Sequence, residues 1–132
     1  MDEHGRKARP APRAPFPRRS PGWLLWIDTV HALKAQGTWR DEDVPLLASY
    51  THSVLTADAA RLALEEEGLT TQTADGRAIA HPLIRVAREA EGDARAAATA
   101  LLLTPAARRR AGVDQVPDAV PPDWMPPGPG VA

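Results

Sequence analysis

The sequence predicts a mainly α protein: a small helical bundle with a long central helix pair, a short β-hairpin between them, and disordered Pro-rich tails. Three observations carry this. Apolar residues recur at helical spacing in successive stretches between residues 22 and 112. Asp75-Gly76, a tight-turn signal, stands between the two longest of these stretches. Eleven of the fourteen prolines crowd into the first 21 and the last 16 residues, where no apolar periodicity survives. The chain therefore divides into a basic arm at 1–21, a helical domain at 22–112 and an acidic Pro-rich tail at 113–132.

Net charge is only −1, yet the charges are segregated. Residues 1–22 carry six Arg/Lys against two acids, and residues 23–69 carry three against eight. Residues 70–112 carry seven against four, and residues 113–132 carry three Asp and no base. Such a pattern suits a protein that handles a polyanion at one place and meets itself or a basic partner at another. The absence of Cys removes disulfides, thiolate nucleophiles and Cys-ligated zinc, and points to an intracellular life. No apolar run approaches the roughly 18 residues of a membrane span, and Met1 to Pro21 has no apolar h-region. The chain is expected to be neither secreted nor membrane-bound.

In the arm, Arg13, Arg18 and Arg19 follow Arg6, Lys7 and Arg9. An extended cationic segment of this kind binds nucleic acid by counterion release without reading sequence. A solvated terminus that aids solubility is the competing reading.

Ser20-Pro21 has N-cap and first-turn chemistry. Trp23, Trp26, Ile27, Val30 and Leu33 then mark one face of a helix that ends before Gly37, a left-handed cap. Leu24 and Leu25 lie off that face and hint at a second buried surface. Thr38 through Asp41 reads as a capping box for a second helix from Arg40 to Glu67. Val44, Leu47, Ala48, Thr51, Leu55, Ala59 and Leu62 form one stripe of it, and Leu46, Tyr50, Ala57 and Leu64 a second on nearly the opposite side. Two stripes exceed what a lone three-helix packing needs, so self-association is expected; a helix surrounded by its own domain is the alternative. Glu65-Glu66-Glu67 sits at the unfavourable end of the helix dipole.

Thr70 to Thr73 and Arg77 to Ala80 flank Ala74-Asp75-Gly76 as a hairpin too small to stand alone. His81-Pro82 opens the next helix, where His81 acts as a cap, and Leu83, Val86, Ala87, Ala90, Ala94, Ala97 and Leu101 form its buried face. Gly92 inside it implies a kink or a close contact. Arg85, Arg88 and Arg95 line the outer side, with Glu89 and Glu91 spaced to pair with Arg85 and Arg95. Thr104 and Pro105 start a short last helix carrying Arg108, Arg109 and Arg110, the strongest local candidates for phosphate contact. In the tail, Trp124-Met125 has the look of a short docking motif for a partner, against an unstructured exposed tail as the plainer reading.

Catalytic chemistry is missing. The four histidines have no convincing metal-ligand spacing, Asp28 and His31 being the only pair worth naming. No phosphate-cradling glycine loop, nucleophile elbow or zinc-protease motif is present. The chain reads as a non-enzyme with no cofactor.

One ordered set of features does carry a resemblance. A Trp-bearing first helix, a long second helix, Glu67-Gly68-Leu69, the Asp75-Gly76 turn, His81-Pro82, and Leu103-Thr104-Pro105 followed by Arg108 together span about residues 22–112. This set resembles the small subunit of tailed-phage terminases, of the group carried by phages with long non-contractile tails. The sequence departs at Leu101-Leu102-Leu103, where that family usually reads Leu-Gly-Leu. The resemblance implies a helical protomer that forms a homo-oligomer, a ring, and binds the double-stranded phage genome where packaging starts. It implies a second partner, the terminase large subunit, whose ATPase and nuclease it regulates, and a place in the cytoplasm of the infected bacterial host. The alternative from another class is a small helix-turn-helix DNA-binding transcriptional regulator built around Gly37. Against it, the helix that would read the bases begins Arg40-Asp41-Glu42-Asp43, which repels phosphate.

Overall fold

A computed structural model describes residues 13–113. Within them, helix α1 spans Pro21–Ala35, α2 Val44–Glu67, α3 Leu83–Ala100 and α4 Pro105–Arg110, with strands β1 (Thr70–Gln72) and β2 (Ala78–Ala80) between α2 and α3. The α2–hairpin–α3 unit forms an antiparallel pair. Helix α1 packs against the half of that pair remote from the hairpin. Among the described residues no helix is long and apolar enough to cross a membrane.

Helix α1 starts where its chemistry says: the Ser20 hydroxyl accepts the Trp23 N–H at 3.2 Å, and Pro21 follows. It ends in a left-handed turn at Gly37 (φ +76°), with the Thr38 N–H donating to Leu33 O and the Gly37 N–H to Lys34 O, both at 3.0 Å. This hydrogen-bond pair satisfies the carbonyls a helix leaves free. Trp26, Val30 and Leu33 are buried and form the main core with Leu47 and Leu101.

The capping box expected at Thr38 does not form. The Thr38 hydroxyl is already used by the α1 terminus, accepting from Gln36 Nε2 at 2.7 Å and lying 3.5 Å from Leu33 O. The chain instead makes one 3-10 turn, Asp41–Asp43, and α2 begins at Val44 with Pro45 in its first turn. Proline is at ease there because its missing N–H has no partner to lose.

Helix α2 has 24 residues, about 36 Å at 1.5 Å per residue. Its buried residues are Leu47, Thr51, Ala57, Ala60 and Leu64. Neither expected stripe is the core by itself: Leu47 and Thr51 come from one, Ala57 and Leu64 from the other, while Ala59 and Leu62 face outward. Two helices cover the first half of α2 and only α3 covers the second, so the buried side shifts along its length. A smaller cluster of Ala60, Leu64 and Ala87, flanked by Leu83 and Ile84, closes the hairpin end.

Thr70, Thr71 and Gln72 pair with Ala80, Ile79 and Ala78. The turn is the expected one, with the Gly76 N–H on Thr73 O and the Thr73 N–H on Arg77 O, both at 2.9 Å, and Gly76 at φ +82°. His81 caps α3 as expected: its Nδ1 accepts the Leu83 N–H at 3.1 Å, which leaves Nε2 as the protonated nitrogen facing Glu67 Oε2 at 2.5 Å. On α3, Ala87, Ala90 and Ala97 are buried, and the small side chains let the helix lie close to α2. Gly92 produces neither break nor tight contact; a Cβ there would meet only Arg95 Nη2, at 3.9 Å.

Candidate nucleic-acid interface

Helix α4 is short but closed at both ends. The Thr104 hydroxyl accepts the Ala107 N–H at 3.1 Å, and Gly112 (φ +73°) turns the chain so that the Val113 N–H reaches Arg108 O at 3.0 Å. Ala107 is the buried residue that seats it. Arg109 and Arg110 are exposed, and neither has an ion-pair partner among the described residues. Arg108 differs from both. It is half-buried, its Nη1 lies 3.4 Å from Leu102 O, and its Nε is closed off from solvent with no hydrogen-bond partner.

The described part of the arm is anchored. Phe16 packs on Trp26 and His52, with ring centroids 6.1 and 4.9 Å away, and lies directly over Gly22, where a Cβ would come within 2.6 Å of its ring. Pro17 to Ser20 forms a turn closed by a 3.0 Å hydrogen bond from Ser20 N–H to Pro17 O, with Arg19 at φ +66°. Arg13, Arg18 and Arg19 are exposed on either side of this anchor. Phe16 and Leu103 pack against the same cluster of Trp26, Val30, Leu33, Leu47 and Leu101. The arm thus seats at the N-terminal end of α1, beside the middle of α2, whereas α4 leaves α3 next to Gln36 at the C-terminal end of α1.

Of the six other arginines among the described residues, Arg61 and Arg85 are held in ion pairs, while Arg40, Arg77, Arg88 and Arg95 are exposed without one. Arg85 pairs with Glu89 at 2.8 Å. Glu91 does not pair with Arg95 as its spacing suggests but crosses to Arg61 on α2. The hydrogen bonds from Arg61 hold the Glu91 carboxyl below its ordinary range. Among the described residues no three His, Asp or Glu side chains are placed to hold a metal ion. Trp124 and Met125, the expected docking motif, lie outside the described residues.

Comparison with known families decides the affiliation. The model of the family described as phage terminase, small subunit, matches residues 24–117. The chain belongs to that family. No curated protein and no solved structure matches it. The terminase small-subunit match takes in α1 from Leu24 onward, α2 to α4 and the arginines of α4, and leaves Arg13, Arg18, Arg19, Trp124 and Met125 outside. Membership gives the protein a part in phage DNA packaging. At Leu101-Leu102-Leu103 the chain turns on Leu102, which takes the left-handed conformation (φ +61°) usually left to glycine.

Two parts of this region were not legible as functional in the sequence. Phe16 is the chain's single Phe, set in a Pro-rich segment, and that isolation was its only signal. Gln36 precedes a helix-ending glycine, where its side chain gave no sign of a partner 66 residues away.

Proposed function

We propose that this terminase small subunit acts as a non-catalytic, homo-oligomeric DNA-binding factor. It binds the double-stranded phage genome at the packaging start and recruits and regulates the large ATPase–nuclease subunit in the cytoplasm of the infected host. The observation that carries the reading is a set of exposed arginines on two segments of the domain. There Arg13, Arg18 and Arg19 meet solvent from the arm, and Arg109 and Arg110 from α4, where Arg108 completes the basic triplet. Guanidinium groups left free in water bind phosphate by releasing condensed counterions.

Ring assembly is supported by apolar surface that the described residues of one copy leave uncovered. Leu62 is 58% and Leu69 63% exposed, and Leu24, Ile79 and Val86 are also open to solvent. A ring places the arginines of its copies around one duplex, multiplying their attraction for it. The tail around Trp124 and Met125 is the proposed docking segment for the large subunit. The helix-turn-helix alternative is disfavoured by exposed Asp41 and Glu42 ahead of α2.

Duplex binding measured across a salt series, with light-scattering mass on the same sample, tests the proposal. Affinity falling steeply with salt in a species of several subunits is the expected result. A lone protomer at high concentration that ignores duplex at low salt overturns it. Co-purification with the large subunit, with and without residues 113–132, tests the docking role.

A further inference from the structure

The turn between α3 and α4 is built on a residue poorly suited to it. Leu102 sits at φ +61°, where its Cβ crowds the backbone. That conformation ends α3, because it lets the Leu102 N–H reach Thr99 O at 3.1 Å and the Leu103 N–H reach Ala98 O at 2.9 Å. The Leu102 carbonyl then takes donors from two other places. Gln36 Nε2 donates to it at 2.9 Å from the end of α1, and Arg108 Nη1 approaches at 3.4 Å from α4. Gln36 is itself held by the Thr38 hydroxyl at 2.7 Å. The Arg108 charge lies by the C-terminus of α3, where free carbonyls and the negative end of the dipole favour a cation.

We infer that Gln36 and Arg108 are positioning residues that brace the Leu102 carbonyl and so fix the direction in which α4 leaves α3. Through that direction they present Arg109 and Arg110 to phosphate. The triplet is then divided by role: two arginines are contacts and one is an internal brace. The sealed Nε of Arg108 fits the brace, since a contact needs its donors in water. This inference rests on the DNA-binding reading above.

The experiment uses the full chain and a DNA duplex, with affinity measured over a range of salt. Arg109→Ala and Arg110→Ala should each flatten the plot of log affinity against log salt by roughly 0.9 per lost phosphate contact. Gln36→Ala removes no charge, yet should also weaken binding and flatten the plot. Adding Leu102→Gly, which holds the turn without a brace, should restore both. In a chain already carrying Arg109→Ala and Arg110→Ala, Arg108→Ala should flatten the plot no further.

A further loss of roughly 0.9 in that background makes Arg108 a third contact and overturns the brace alone. Gln36→Ala binding like the parent chain also overturns it. Failure of the parent chain to bind duplex at low salt overturns this inference together with the reading beneath it. Should Arg108→Ala fail to fold, the Gln36→Ala and Leu102→Gly pair decides the matter.

Discussion

Arg61 grips Glu91 with both ends of its guanidinium, Nε to Oε1 at 2.6 Å and Nη2 to Oε2 at 3.0 Å, and so ties α2 to α3 near the middle of the pair. Two parallel charge-assisted hydrogen bonds fix geometry as well as attraction. The pair is solvent-accessible, so its worth depends on pH and on salt.

Glu91's folded carboxyl lies below its ordinary value of 4.5, with the Arg61 hydrogen bond as the largest cause. The stability it contributes is therefore present in full above that value and is lost as pH falls through the lower folded value. Glu91→Gln should make the thermal midpoint less dependent on pH over that acid range, measured by circular dichroism. High salt should shrink the difference between the two proteins. Asp75, lowered by the Thr73 hydroxyl, is common to both proteins, so the comparison isolates Glu91.

Phe16→Ala should cost roughly 1–2 kcal/mol, the value of a half-buried aromatic ring, and should release the arm. Gly22→Ala should do the same by driving Phe16 off its seat. Because both changes remove one contact, the double variant should be little worse than either alone. Thermal unfolding measures the first effect, and faster tryptic cleavage at Arg18 and Arg19 the second.

Gly92→Ala should raise stability by about 0.5–1 kcal/mol, since the helix is regular there and the added methyl meets only a movable arginine tip. A denaturant midpoint that fails to rise would mean that α3 is not a continuous helix at this point.

Thr51 is wholly buried, and its hydroxyl donates to Leu47 O at 2.8 Å within the same helix. Thr51→Val removes donor and hydroxyl together and should change stability by less than about 1 kcal/mol. Thr51→Ser keeps the hydroxyl but empties a methyl site, and should cost about 1 kcal/mol or more. Denaturant unfolding of the two variants gives the order directly.

Where a residue's role is settled by its immediate neighbours, the sequence was readable. Ser20, Gly37, Gly76, His81 and Thr104 each act as a cap or turn residue, as their local chemistry implies. Roles decided by competition between distant groups were not. Thr38 looked like a cap until Gln36 and Leu33 claimed its hydroxyl, and Glu91 had Arg95 in reach but Arg61 in better position. The α2 stripes misled for a similar reason, since periodicity gives the faces of a helix but not which neighbour covers which part of its length. The arginines of α4 were visible as a cluster. Their division into one folded under and two outward was not, because it depends on where Leu102 turns the chain.

The two buried clusters along α2 are unequal, and this gives the molecule a firm root and a yielding outer limb. Trp26 and Leu33 weld the root, whereas the limb is closed by Ala60, Leu64 and Ala87. Amide protons near the hairpin should therefore lose protection from exchange well before those around Trp26. In the proposed ring, a limb that loosens by itself can bend to fit the adjoining copy while the root beside α4 keeps its shape.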